Sequence, residues 1–409
     1  MAWCRPTSRG YGLINKQMIS YGRQSIGESD IDAVLDVLRG TRLTQGPVAE
    51  QFEKALAKKV GAKFAVVVSS GTAALHIACL AAGMRTGNHG ITSALTFVAS
   101  ANAMRYCGAE VSLTDIDPHS LGMDVASLEK LLSEHPESKV VIPVSFAGLA
   151  NRMADIRAVA KDQIIIEDAS HSLGGSYEAG SSVGSCAYSD MTVFSFHPVK
   201  PITTGEGGAV TTNDQELYYK LRMFRDHGLE RRAGYFVHKA DSMEDGEPKS
   251  WYYEQQELGF NYRLSDLHAA LGVSQLSKLD QFIERRRAIA ARYDTQLGGI
   301  KGIRRPQNLS QDRARSAHHI FPVEINFKSI GMSRAQYFSY LRDNGVISQV
   351  HYIPVYRQPY YQQRYGFSPD CFPMSEAYYA SCLTLPIYPG LTDEEIDQVI
   401  RLIQDSLKP

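Results

Sequence analysis

The run SFHPVKPITTGEGGAV places a lysine between two prolines, and that setting suggests chemistry. Lysine is the side chain that condenses with an aldehyde to form an imine, and its amine must be neutral to attack. Pro198 and Pro201 restrict the backbone around Lys200. Gly205, Gly207 and Gly208 permit close main-chain approach and positive φ in the turn that follows. A desolvated position near other positive charge would lower the amine's pKa. A single lysine is ordinarily a solvated surface charge, so its company decides the matter.

Two other places supply company. Glu167 and Asp168 end the apolar run IIIED, and α/β sheets bind ligands at the carboxyl ends of their strands. A carboxylate there can hold a cation such as a protonated pyridine nitrogen, although an isolated strand-end aspartate more often caps or turns the chain. In VVVSSGTAAL a strand ends at Ser69 and Ser70 before a helix, so Gly71 and Thr72 offer free N–H groups and a hydroxyl at the positive helix end. This is either a phosphate seat or a plain N-cap. Ser195, His171 and His197 are further donors near the same strand ends.

Other site chemistries find no support. The sequence has no GxxxxGK[ST] loop and no GxSxG elbow. His318 and His319 are adjacent, so on a strand they would face opposite ways, and no metal site is expected.

The elements needed to position these groups are legible as pattern. Apolar runs at 64–68, 140–145, 164–168, 191–196 and 209–212 suit strands covered on both faces, which points to an α/β sheet layered by helices. Helical periodicity marks TAALHIACLAAG, VASLEKLLSEH, DQELYYKLRMFRDHG and LSDLHAALGVSQLSKLDQFIERRR, the last read as one long helix. Residues 1–17 read as a loose extension, 18–270 as a large domain and 271–409 as a smaller α+β domain. In HYIPVYRQPYYQQRYGFSPDCF, Pro354, Pro359 and Pro369 are expected to block regular structure, leaving an aromatic arm that either wraps the fold or lines a substrate.

Composition narrows the class. The 409 residues are 44% hydrophobic and 21% charged, with a formal net charge of -1, so no global basic field exists to collect nucleic acid or anionic lipid. The six cysteines are scattered without CxxC spacing, as expected for thiols in a reducing cytoplasm. No apolar segment at the start resembles a secretory signal or an anchor.

Taken together, SSGTAAL, EDASHSLGG, SFHPVK, GEGG and GFNYRLSDLHAALG resemble, in order, the motifs of the DegT/StrS-type sugar aminotransferases of the fold-type I pyridoxal-phosphate superfamily. The resemblance runs from Tyr21 to Leu407 and includes LTQGPVAEQFE and LPIYPGLT. It implies a large, mostly parallel seven-stranded sheet domain, a smaller C-terminal α+β domain and pyridoxal 5'-phosphate as cofactor. By the same resemblance, Lys200 forms the imine and shuttles the proton, and Asp168 partners the pyridinium. Gly71, Thr72 and Ser195 hold the phosphate, Phe97 stacks on the ring and His171 lies beside the cofactor's hydroxyl. Asn261 would reach the phosphate of a neighbouring subunit, implying a homodimer with shared sites.

PITTGEGG, HYIPVY, VSFAG and FNYRLSD are most similar to the branch acting in pseudaminic acid biosynthesis. This implies L-glutamate as donor, a UDP-4-keto-6-deoxy-N-acetylhexosamine as acceptor, and Arg23, Ile26, Thr44 and Tyr352 as sugar contacts. Dehydratases on this fold carry histidine where Lys200 stands. One departure, GNHGI where the family has a turn like GDEVI, is expected to alter only a loop.

Overall fold

The apolar runs become strands of one seven-stranded sheet in a computed structural model that describes residues 18–307 and 310–407. The strands are β1 (Phe64–Val68), β2 (His89–Ser93), β3 (Glu110–Thr114), β4 (Ser138–Ile142), β5 (Ile164–Asp168), β6 (Met191–Ser195) and β7 (Gly208–Thr212), in the order β1-β7-β6-β5-β4-β2-β3. Only β7 runs against the rest: it pairs antiparallel with β1 and β6, while β6, β5, β4, β2 and β3 pair in parallel. The sheet is the mostly parallel α/β arrangement implied by the motifs.

Alternation along the strands feeds two cores. Val66, Val68, Ile142, Ile166 and Val193 pack on one face, and Ala65, Val67, Val141, Ile165 and Phe194 on the other. Helices α3 (Gly71–Ala81), α4 (Ala99–Tyr106) and α7 (Gln215–Arg225) cover the first face. The second is covered by α2 (Pro47–Val60), α5 (Val125–Glu134), α6 (Met153–Val159) and α8 (Asp266–Ser277), and α1 (Glu28–Arg39) packs on α8. Burial on both sides is why these strands read as continuous apolar runs rather than as alternating ones.

The long helix expected from 264 to 287 is instead two helices. It breaks at Lys278, which ends α8 and starts α9 (Leu279–Leu297). Lys278 then pairs with buried Asp30 at 2.7 Å, an ion pair that an uninterrupted helix has no pattern to announce. A core of the large sheet and a second, C-terminal core meet along α9: Leu279, Phe282 and Ile283 pack toward the sheet, whereas Ile289, Ala290, Tyr293 and Leu297 join the C-terminal core.

That second core sits on an antiparallel sheet of β12 (Ile303–Arg304), β13 (Phe321–Ile325) and β14 (Cys382–Leu385), with α11 (Arg334–Asp343) and α14 (Asp393–Ser406) packed on it. Short α10 (Ser310–Arg315) precedes β13. Residues 229–255 form two small ribbons, β8 (Leu229–Glu230) with β11 (Glu254–Gln255) and β9 (Met243–Glu244) with β10 (Glu247–Pro248).

The prolines of the aromatic segment start helices rather than blocking them. Pro354 directly precedes a 3-10 turn at Val355–Arg357, Pro359 is the first residue of α12 (Pro359–Tyr365) and Pro369 opens another 3-10 turn, while Pro373, just beyond the segment, opens α13 (Pro373–Ser381). The first helical position needs no N–H and favours proline's fixed φ. The GNHGI departure also falls elsewhere than expected: His89 and Gly90 begin strand β2, and buried His89 meets Ser138 and Ser112 through its two ring nitrogens. His135 and Glu137 lie close enough to make a three-ligand group with His89, remote from the cavity described below. The expected N-terminal extension lies outside the described residues.

Candidate active site

Sheet register assembles the site. Val68 pairs with Gly208, and Gly208 with Ser195, while Asp168 pairs with Val193 two residues earlier on β6. The carboxyl ends of β1, β5 and β6 therefore share one edge, where the loops after them meet. A cavity of about 680 Å³ opens there, lined by Gly71, Thr72, Phe97, Asp168, His171, Ser195, Lys200, His319 and Tyr352 among others.

Lys200 sits in the loop joining the antiparallel pair β6 and β7. Its N–H donates to the His197 carbonyl at 2.9 Å, closing a four-residue turn with Pro198 in the second position, where fixed φ suits it. Thr204 N–H and Thr203 Oγ1 both donate to Phe196 O, and Gly205 N–H donates to Thr203 Oγ1, so the loop is tied at its base. Gly205 has φ of +80°, the left-handed region that glycine enters without penalty. Burial pushes the Lys200 amine down to about 8, while the Asp168 charge pulls the other way. At pH 7.5 such an amine is neutral in about a quarter of molecules, against about one in a thousand at the ordinary lysine value.

Glu167 and Asp168 face opposite sides, as consecutive strand residues must. Asp168 looks into the cavity. Its Oδ1 accepts from the Ser170 N–H at 3.2 Å and the Ser170 hydroxyl at 2.6 Å, and its Oδ2 accepts from Ser100 Oγ at 2.7 Å. Glu167 is fully buried behind it, accepting from Ser145 Oγ at 2.6 Å and from the Tyr177 hydroxyl. Burial is the main force pushing Glu167 up to about 7, against the hydrogen bonds it receives.

At the other end, Ser70 caps α3 by accepting from the Ala73 N–H, which leaves the helix end at Gly71 and Thr72 facing the cavity. No larger residue fits at Gly71, where a Cβ would lie 2.8 Å from Ser195 Cβ. Phe97 lines the cavity with 57% of its surface uncovered, unusual for so large an apolar ring.

His171, His319 and His351 are neutral. Ala147 N–H donates to His171 Nδ1 at 3.3 Å, so the ring proton is on Nε2, which donates to the Tyr352 hydroxyl at 3.0 Å. Burial, and after it the nearby Lys200 charge, holds His171 well below its usual pKa. His319 and His351 are depressed by the same burial and by Lys200, His351 to about 3.

Within one chain the structure brings together Gly71, Thr72, Phe97, Asp168, His171, Ser195, Lys200 and Tyr352. It leaves Ile26, Thr44 and Asn261 exposed and off the cavity. Arg23 borders a narrow crevice on another side of Lys200, with Pro198 and Arg286. The segment carrying Asn261 lies against the end of β1, where Ser69 N–H donates to Tyr262 O.

Sequence reasoning missed Ser100, Ser170, His319 and His351. Ser170 had a signal, because a hydroxyl two residues after an aspartate is a common turn partner. Ser100 had none, being 68 positions from Asp168. His318 and His319 do not stand on a strand; they precede β13, with His318 at φ +45°.

A ring with an aldehyde, a basic nitrogen and a phosphate fits this arrangement. The anion-seeking helix end, the uncovered Phe97 face, the buried carboxylate and the depressed lysine amine border one space of suitable size. Lys200 and Asp168 would hold its two ends.

Comparison with known proteins agrees. Residues 24–404 match the DegT/DnrJ/EryC1/StrS aminotransferase family. The chain is 37% identical over 393 residues to the spore coat polysaccharide biosynthesis protein SpsC of Bacillus subtilis, covering 95% of this chain and 97% of that protein. It is 38% identical over 356 residues to the UDP-4-amino-4,6-dideoxy-N-acetyl-beta-L-altrosamine transaminase of Campylobacter jejuni, covering 85% and 87%. Helicobacter pylori PseC, described as an aminotransferase in pseudaminic acid biosynthesis, superposes with a TM-score of 0.86 at 30% identity, covering 96% and 99%. The pyridoxal-phosphate form of the sugar aminotransferase Spr1654 from Streptococcus pneumoniae superposes at 0.83 and 26% identity, covering 96% and 100%. The chain belongs to the DegT/DnrJ/EryC1/StrS aminotransferase family and is a transaminase that depends on pyridoxal phosphate.

Proposed function

We propose that this enzyme moves the amino group of L-glutamate to C4 of a UDP-4-keto-6-deoxy-N-acetylhexosamine, giving the UDP-4-amino-4,6-dideoxy-N-acetyl-β-L-altrosamine of pseudaminic acid biosynthesis. The observation that carries the transaminase chemistry is the buried Lys200 amine sharing a cavity with Asp168. Support for the sugar comes from the Campylobacter transaminase and from PseC.

The bound cofactor supplies an electron sink for the pair left when the amino-acid carbon loses its proton. Asp168, oriented by Ser100 and Ser170, would pair with the ring nitrogen and keep it protonated. Lys200 would hold the cofactor through its ε-amine. Its ε-amine, when free, would be the base placed to take a proton from the substrate α-carbon and to give it back. The same residues run in reverse on the keto sugar. Gly71, Thr72 and Ser195 would bind the phosphate, Phe97 would stack on the ring and His171 would meet its hydroxyl, which together would give the orientation that proton transfer requires.

The working unit of this reading is a homodimer in which Asn261, exposed and off its own cavity, reaches the partner's phosphate. Arg23, Ile26, Thr44 and Tyr352 are assigned to the sugar. Incubation with glutamate and a panel of UDP- and dTDP-4-keto sugars, followed by identification of the amino sugar, tests the reading. Turnover of a dTDP sugar with none of the UDP-4-keto-6-deoxy-N-acetylhexosamine would sink the assignment while leaving the transaminase intact.

A further inference from the structure

One buried group beside Lys200 has no part in the chemistry described so far. His319 is 3% exposed, lines the cavity and places Nε2 3.5 Å from Lys200 Nζ. Its Nδ1 is buried with no hydrogen-bond partner among the described residues. The ring packs against His171 at 4.4 Å between centroids, and its backbone is pinned: the Arg286 guanidinium donates through Nη1 to the carbonyls of His319 at 3.1 Å, His318 at 3.3 Å and Ile387 at 2.9 Å. Arg286 is itself 1% exposed, and the hydrogen bonds it makes here go to carbonyls.

We propose that His319 is the positioning residue of Lys200: its Nε2 accepts a hydrogen bond from the ε-amine and fixes the direction in which the amine's lone pair faces. The inference rests on the reading of Lys200 as the imine-forming residue.

The direction of this hydrogen bond follows from donor bookkeeping. An ammonium has three donors and no acceptor, so a charged Lys200 can meet Nε2 only if that nitrogen carries the lone pair. The ring proton is then on Nδ1, the atom without a partner. A neutral amine that keeps one N–H on Nε2 is left with its lone pair free to turn into the cavity, where the aldehyde carbon arrives. The amine nitrogen adds to that carbon, its protons pass to the departing oxygen, and water leaves.

His319 serves as an acceptor only. The charged and titratable groups facing it are Lys200, His171, Arg286 and His351, which all oppose a second proton, and burial opposes it most. A base would have to carry that proton; a positioning residue need not. Leaving Nδ1 unsatisfied carries a desolvation cost that a merely space-filling apolar residue would avoid.

Two measurements test this. The first is the rate at which full-length apoprotein condenses with pyridoxal phosphate, followed by visible absorbance in wild type, His319→Leu and His319→Gln. Leucine is expected to slow condensation about tenfold or more, the worth of one buried hydrogen bond, and glutamine, whose amide oxygen also accepts, to restore it to within about threefold. Equal slowing in both variants, or none in His319→Leu, overturns the proposal. Borohydride reduction and peptide mapping separate this from the underlying reading: label on a different lysine sinks the role of Lys200 itself.

The second measurement needs no variant and holds even if His319→Leu fails to fold. Reductive methylation of Lys200 in wild-type apoprotein, quantified by mass spectrometry from pH 5 to 10, should show a single titration. A second step below pH 7 would mean that His319 charges, and would overturn the acceptor role.

Discussion

Ser100 Oγ donates a 2.7 Å hydrogen bond to Asp168 Oδ2, tying the start of α4 to the end of β5. Ser100 is itself fixed by Thr96 Oγ1 at 2.9 Å. The serine thus aims a carboxylate that has to face one ring nitrogen. Ser100→Ala leaves the Ser170 contacts in place and removes one orienting bond, worth about 1 to 2 kcal/mol. Cofactor Kd, measured by absorbance or fluorescence titration, is expected to rise about tenfold with little change in fold by circular dichroism. An unchanged Kd would mean that Ser170 alone orients Asp168.

Lys200→Met should abolish transamination and, in the apoprotein, raise stability. The folded state depresses the amine to about 8, below the unfolded value near 10.5. Between those values the unfolded chain binds more protons, so the Lys200 contribution to stability improves as pH rises through this window and is worst below it. Chemical denaturation at pH 7 should find the methionine variant more stable by about 3 kcal/mol, with the gap closing above pH 10. A wild type as stable as the variant at pH 7 would contradict the buried placement.

Glu167 gives the opposite slope. Its folded pKa is near 7, above the ordinary glutamate value of about 4.5, so from pH 4.5 to 7 the native state holds the extra proton and stability falls as pH rises. Glu167→Gln keeps a side chain that can accept from Ser145 or Tyr177 and removes the titration. The variant's stability should therefore be flatter than wild type across that window, by up to about 3 kcal/mol at pH 7. Parallel curves would contradict a titrating Glu167.

Phe97 separates cofactor binding from folding. Because more than half of its surface is uncovered, Phe97→Ala should change apoprotein stability by no more than about 0.5 kcal/mol. Losing a stacked ring should weaken cofactor binding by about 1 kcal/mol, roughly fivefold in Kd. A large loss of Tm in the apoprotein, with cofactor affinity intact, would make Phe97 a packing residue.

Local chemistry explains how much was readable beforehand. Apolar runs fully covered on both faces announced β1, β4, β5, β6 and β7. The Pro198 turn, the Ser70 cap and the glycines after Lys200 carry their geometry in neighbouring residues. The break at Lys278 was not readable, because a single ion pair to Asp30, 248 positions away in chain order, competes there with strong helical periodicity. The prolines after Tyr352 misled for a related reason: their effect depends on whether a helix starts or continues at that residue, which packing decides.

The residues on the sequence determined which groups were capable of imine and phosphate chemistry, since that follows from side-chain type and from the strand ends beside them. Only the tertiary structure decided that Lys200 is desolvated, that Asp168 is aimed by Ser100, and that His319 reaches the amine. Those properties arise from sheet register and from loops brought together across as many as 119 positions, and no local rule encodes a distance between segments that meet only when the chain is folded.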